Sequence, residues 1–307
     1  MEMKKIKMLF FLLLSLGIIA GCNTTENNSD KIQVTTTIGM IADIVKNVGG
    51  DLVEVNGLMG PGVDPHLYKA SQGDIAKLEN ADIIFYNGLN LEGKMNDIFV
   101  KMARTTPTYA VTEKIDKKYL LDDPENPDHI DPHLWFNVEL WMSAVEVVRD
   151  AMIEQDPENK DDYTKNAEAY LKELADLHEY VKAQVATVPE ESRVLVTAHD
   201  AFGYFGNAYG FEVMGLQGLS TDSEFGLKDI KHLVDVLENR NIKAVFIETS
   251  ISDESIKALV EGAKKRDHQV SIGGELFSDA MGEPGTEEGT YIGMVKHNID
   301  TIVSALK

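Results

Sequence analysis

From residue 157 to residue 188 the chain has no glycine, and no proline after Pro157 itself. The stretch is rich in Ala, Glu, Lys and Leu, all good helix formers. Apolar side chains recur at Tyr170, Leu171, Leu174, Leu177, Val181 and Val185, a helical spacing. The pattern predicts one helix of about 30 residues, roughly 45 Å long by the rise per residue. A rod of that length can run along two lobes; two helices with a hidden break are the alternative.

On both sides of this rod, strand and helix signals alternate. In the first half the expected strands cover 32–37, 52–58, 81–86 and 108–111, and the helices 38–48, 71–78, 91–103 and 138–153. In the second half strands are expected over 193–197, 211–216, 242–248 and 269–272, and helices over 201–209, 227–239, 253–265 and 290–306. Alternation of this kind predicts an α/β fold of parallel sheets flanked by helices. The expected organisation is a lobe over 32–156, a linking helix over 157–188 and a second, similar lobe over 189–307.

The start of the chain reads as a targeting segment. Lys4, Lys5 and Lys7 precede an apolar run over 8–20, too short to span a bilayer comfortably. Ile19-Ala20-Gly21-Cys22 follows, which resembles the bacterial lipobox. Residues 1–21 are therefore expected to be a signal peptide, and Cys22 the lipidated first residue of a flexible tether over 22–31. An ordinary secretory signal with a chance cysteine is the weaker alternative. Cys22 is the only cysteine, which excludes an intramolecular disulfide and any cysteine-rich metal cluster. Asp and Glu outnumber Lys and Arg by 51 to 29, giving a formal charge of −22. Nucleic acid and anionic membrane surfaces are poor partners for such a chain, whereas cations are suitable ones.

Asp64-Pro65-His66-Leu67-Tyr68 recurs as Asp131-Pro132-His133-Leu134-Trp135. Proline fixes its own φ and pushes the preceding Asp out of the helical region, so each histidine is presented from a stiff corner. Asp64 and Asp131 can each accept from the second ring N–H and hold the tautomer, as carboxylates behind metal-binding histidines do. His199 and Asp279 each fall just after an expected strand, where open parallel sheets bind their ligands. Three imidazoles and one carboxylate suit Zn²⁺, Mn²⁺ or a neighbouring divalent ion. A bidentate Asp279 would make the site five-coordinate, which Mn²⁺ accepts. With four protein ligands no position is left for a substrate, so the site looks built to carry a metal and not to use it in catalysis. Glu248, at a strand end, is a further candidate behind the ligands. His129 could meet an incoming ion, and His178, His232, His268 and His297 read as surface residues. Tyr68 and Trp135 are placed to wall the site off from water.

Together with the lipobox, the stretches Gly60-Pro61-Gly62-Val63-Asp64-Pro65-His66, Asp131-Pro132-His133-Leu134-Trp135, Val196-Thr197-Ala198-His199-Asp200-Ala201-Phe202 and Ser278-Asp279 carry a family likeness. The chain resembles the solute-binding lipoproteins of ABC importers for manganese and zinc, over essentially its whole mature length. The resemblance implies two α/β lobes joined by one long helix, with a metal buried between them on His66, His133, His199 and Asp279. It implies a monomer held to the extracytoplasmic face of the cell membrane by lipid on Cys22, partnered by an ABC permease and its separate ATPase subunit. Many manganese-binding relatives have Glu where this chain has His199, and zinc-binding relatives also have His there. Zinc importers often carry a His-rich acidic loop, whereas the loop over 122–129 has His129 alone. Mn²⁺ is the expected ion, with Zn²⁺ as the alternative. The chain carries no Walker-type phosphate loop, so it is not itself the ATPase. A surface metallohydrolase is a rival reading, but His-Glu-x-x-His and Gly-x-Ser-x-Gly are both missing from the sequence. An adhesin with a structural metal is another.

Overall fold

Strand β1 (Ile32–Thr36) runs parallel to β2 (Val53–Gly57) on one side and to β3 (Ile83–Tyr86) on the other, and β3 pairs in parallel with β4 (Thr108–Ala110). The order β2-β1-β3-β4 makes one four-stranded sheet. Val34, Ile83, Ile84 and Phe85 are fully buried, as expected of parallel strands covered on both faces. Helix α1 (Gly39–Gly49) buries Met40, Ile41, Ile44, Val45 and Val48, and α2 (Gln72–Glu79) begins with a capping box between Ser71 and Asp74. The computed structural model describes residues 31–307, apart from 124, 125, 127 and 224. The expected signal segment 1–21 and Cys22 lie outside the described residues.

The helix expected over 91–103 is shorter than its pattern. A 3₁₀ turn (Gly93–Met95) precedes α3 (Asn96–Met102), because Glu92 is drawn inward to bond the loop after β3. Helix α4 (Val138–Gln155) follows, capped by the Asn137 side chain. The long connection is then a 3₁₀ turn (Pro157–Asn159) leading into α5 (Lys160–Val185), 26 residues without a break. At 1.5 Å per residue it is about 39 Å long. It buries Tyr163, Ala167, Tyr170, Leu174, Leu177, Val181 and Val185 along one stripe.

In the second half β5 (Val194–His199) pairs in parallel with β6 (Glu212–Gln217), and β7 (Ala244–Glu248) with β8 (Ser271–Leu276). These are two ladders, with β5 lying beside β7. Helices α6 (Gly203–Tyr209), α7 (Leu227–Asn239), α8 (Glu254–Lys264) and α9 (Tyr291–Leu306) complete the alternation. Strand β8 starts and ends later than its expected span of 269–272. It runs through Gly273 and Gly274, which read locally as loop, because pairing with β7 supplies the bonds that local propensity does not.

The halves are not separately packed. One apolar cluster takes in Val34 and Phe85 of the first sheet, Trp141 of α4, Tyr170 and Leu174 of α5, and Tyr291, Ile299 and Ile302 of α9. A smaller cluster lies under α7 and α8 around Val196 and Val245. The long helix therefore links two α/β lobes through a core that both lobes share. No helix among the described residues is long and apolar enough to cross a membrane.

Candidate metal centre

The chain leaves β2 through Leu58 and Met59, whose N–H groups donate to Thr36 and Thr37 and prolong the ladder by two bonds. It then turns through Gly60 and Gly62, the latter at φ +68°, and delivers the Asp64-Pro65-His66 corner. Asp64 accepts the backbone N–H of His66 at 2.9 Å. Its other oxygen accepts the Thr221 hydroxyl at 2.6 Å. Asp64 thus does not hold the His66 ring, contrary to the expectation from its spacing; the carboxylate faces across the cleft to the second half instead.

The second corner behaves as its motif predicts. Asp131 accepts both the backbone N–H of His133 at 2.9 Å and its ring Nδ1–H at 2.7 Å. The Tyr204 hydroxyl donates to the Asp131 carbonyl, and Asn87 donates to the Pro132 carbonyl. A Cβ on Gly203 would lie 2.7 Å from Asp131 Oδ2, so only glycine leaves that carboxylate in place. Asn87 is itself held by Glu92, which accepts its N–H and the Thr37 hydroxyl. Burial pushes the Glu92 carboxyl up, against the pull of those bonds. Asn87, Glu92 and Tyr204 were invisible to sequence reasoning, since a loop Asn or Glu looks the same whether solvated or buried.

His199 is the last residue of β5. Glu248, ending β7, accepts its N–H at 2.9 Å and its Nδ1–H at 2.6 Å. Asp279 follows β8 by three residues. Its loop is pinned on both sides: Asn298 exchanges bonds with the N–H and carbonyl of Phe277, and Trp135 Nε1 donates to the Ser278 carbonyl. Trp135 is fully buried and also stands edge-on to the His133 ring at 5.3 Å. It walls the site as expected. Tyr68 serves instead as a brace, with its hydroxyl donating to Asp74 at the start of α2, and burial followed by Asp74 pushes the phenol up to about 12.

These segments bring His66, His133, His199 and Asp279 together, each offering one donor atom, with all four atoms within 4.8 Å of one another. His66 is 5% exposed and the others 1% or less. Asp279 oxygens stand 3.4, 3.5 and 3.4 Å from Nε2 of His66, His133 and His199. Nε2 of His66 and His133 are 3.2 Å apart. A tetrahedron with bonds of about 2.1 Å has edges of about 3.4 Å, so these spacings suit four donors around one small cation.

The hydrogen bonds fix the tautomers. With Nδ1–H given to Asp131 and to Glu248, the Nε2 atoms of neutral His133 and His199 present lone pairs to the centre. His199 Nε2 and both Asp279 oxygens are buried without a hydrogen-bond partner. Lone pairs converging in a dry site repel unless a cation lies between them. Burial pushes His199 down, but Glu248 and Asp279 on either side hold it well above the usual imidazole value. Burial pushes Asp279 up, and His199 with His66 and His133 overcomes that and holds it well below the carboxylate range. Both effects draw positive charge to the same point.

Among the other histidines, His129 and His232 are exposed. His268 is a correction: it is buried, with Nε2 bonded to the Ile242 carbonyl at 2.8 Å, and so stitches the turn before β8 to that before β7.

The family described as ZnuA, zinc-uptake complex component A, periplasmic, matches residues 34–305. The chain belongs to this family of substrate-binding proteins of metal ABC transporters. It is 52% identical over 292 residues to the manganese-binding lipoprotein MntA of Bacillus subtilis (strain 168), covering 94% of this chain and 95% of that one. It is 48% identical over 301 residues to the zinc-binding protein TroA of Treponema pallidum (strain Nichols), covering 96% of each. The solved structure of the periplasmic zinc-binding protein TroA from Treponema pallidum superposes with a TM-score of 0.88 at 51% identity, covering 90% of this chain and 99% of that one. Members of this family are receptors and not enzymes, so the metallohydrolase reading falls.

Proposed function

We propose that the chain is the lipid-anchored receptor of an ABC importer that captures Mn²⁺ outside the cell and hands it to a membrane permease driven by a separate ATPase. His66, His133, His199 and Asp279 are the ligands, and the ion is cargo. Asp131 and Glu248 orient two of the rings, and Asp64 sets the third corner through its backbone. The observation that carries this reading is the convergence of one donor atom from each of three imidazoles and one carboxylate in a buried site, with Asp279 partnered by no hydrogen bond. Cys22 carries the lipid, residues 1–21 are removed, and residues 22–31 tether a monomer to the extracytoplasmic face of the membrane. The lobes are 32–156 and 189–307, joined over 157–188.

Manganese is favoured by the likeness to a manganese-binding lipoprotein and by a carboxylate with two free oxygens. Zinc is the second reading, favoured by the three nitrogen donors and by the likeness to a zinc-binding protein. The test is metal analysis of protein purified from its own cell surface, paired with growth of a deletion strain. Manganese in the protein and a growth defect relieved by added Mn²⁺ are expected. Zinc in the protein and relief only by Zn²⁺ would assign the second reading.

A further inference from the structure

The two Asp-Pro-His corners differ in one respect that the ligand set does not explain. Asp131 grips the ring of His133, whereas Asp64 gives its second oxygen to Thr221 in the other half of the molecule. His133 and His199 each have a carboxylate on Nδ1, whereas Asp64 bonds the His66 backbone and Thr221. His66 is also the most exposed of the four.

Thr221 belongs to a strap over 218–223 between β6 and α7. At its base the Gln217 side chain donates to the carbonyls of Thr221 and Ser223, both at 2.6 Å, so the strap is tied to the end of β6. At its tip two contacts reach the first half: Thr221 to Asp64, and Asp222 to Lys94 at 2.6 Å. Beneath lies a cavity of about 300 Å³ bordered by His66, Pro132, Leu219 and Ser220, with Asp128 and His129 at its rim. Leu89 and Asn90 also line it and sit consecutively at φ 52° and 66°, a strained conformation for such residues.

A second cavity, of about 430 Å³, reaches Asp279 from the other side. The chain just before Asp279 is fastened by a buried bond from Trp135 and two half-buried bonds with Asn298. Tied to β6 at its base, the strap is joined to the first half by one half-buried hydrogen bond and one exposed ion pair. Segments that move are those with few buried contacts and solvent-exposed bonds.

Resting on the metal reading of the site, we propose that the 218–223 strap is the gate for metal exchange, with Thr221–Asp64 as its latch and His66 as the ligand that lets go first. Asp64 is then a positioning residue with two duties: it presets the His66 backbone and it senses whether the strap is shut. Opening frees Asp64 and uncovers His66, while His133 and His199 remain held by Asp131 and Glu248, and the chain before Asp279 by Trp135 and Asn298.

The test is stopped-flow exchange with Mn²⁺ as the probe, measuring uptake by metal-free protein and release to excess chelator. Thr221→Val removes one hydrogen bond to a charged group without changing side-chain shape, and is expected to speed both uptake and release about tenfold. The equilibrium affinity should stay within about threefold of wild type, because both rates rise together. Thr221→Ser should restore wild-type rates. Unchanged exchange in Thr221→Val would overturn the gate while leaving the ligand set intact. Faster release without faster uptake would also overturn it, since that pattern marks mere weakening of His66. A wild-type protein that takes up neither Mn²⁺ nor Zn²⁺ would overturn the metal reading, and the gate with it.

Discussion

Replacing Glu248 by Gln keeps the shape of the side chain and removes its charge. Glu248 is 2% exposed and accepts two bonds from one residue, the His199 N–H at 2.9 Å and Nδ1–H at 2.6 Å. A glutamine has only one accepting oxygen. Its NH₂ must face either the backbone N–H, donor against donor, or the ring. If it faces the ring, Nδ1 must accept, and the proton moves to Nε2, where the metal binds. Either arrangement weakens the site. Partners behind metal-binding histidines typically contribute 10- to 100-fold in affinity, equivalent to about 1.4–2.7 kcal/mol. The predicted result is a loss of this size in Kd for Mn²⁺, measured by competition with a chelator at pH 7, in a protein that still folds. Nitrogen NMR of the metal-free variant should show the His199 ring with its proton moved or its charge lost. A Kd within twofold of wild type, with the His199 tautomer unchanged, would show that Glu248 does not orient this ring for the metal.

Gly203→Ala places a Cβ against Asp131 Oδ2 and should displace that carboxylate from His133, lowering metal affinity about tenfold while leaving His199 untouched; calorimetry on the variant checks this. Because His199 is held protonated well above its ordinary value without metal, binding at neutral pH should release about one proton, and affinity should fall about tenfold from pH 7 to pH 6. Calorimetry in buffers of different ionisation enthalpy measures the proton, and a flat pH profile would sink this assignment. His199→Glu replaces a nitrogen donor by oxygen and should move preference from zinc toward manganese in competition binding at neutral pH. Solution scattering should show only a small change between metal-free and metal-loaded protein, since α5 is continuous and the lobes share a core; a wide opening would contradict that.

Much of this was legible in the sequence because stiff local chemistry carried it. Proline fixes the corners before His66 and His133 wherever the chain goes. Residues 160–185 have no interruption, so a long helix is their local preference and also the observed state. What was not legible depends on distant partners. Asp64 and Asp131 sit in the same motif, and only Thr221, far along the chain, turns one of them away from its ring. Glu92 shortens a helix pattern because Thr37 and Asn87 need a buried acceptor. Gly274 belongs to β8 because Phe246 of β7 pairs with it, and Gly273 is carried along as the extra residue where the register shifts between Val245 and Phe246. His268 reads as a polar turn residue until the Ile242 carbonyl is found beside it.

One ion held by His66, His133, His199 and Asp279 is what the metal site requires. Crystals grown with Mn²⁺ and measured at its absorption edge test this most directly. A single strong anomalous peak is expected, bonded to Nε2 of His66, His133 and His199 and to the Asp279 carboxylate. A peak elsewhere, or one that leaves any of those four residues unbonded, would contradict it.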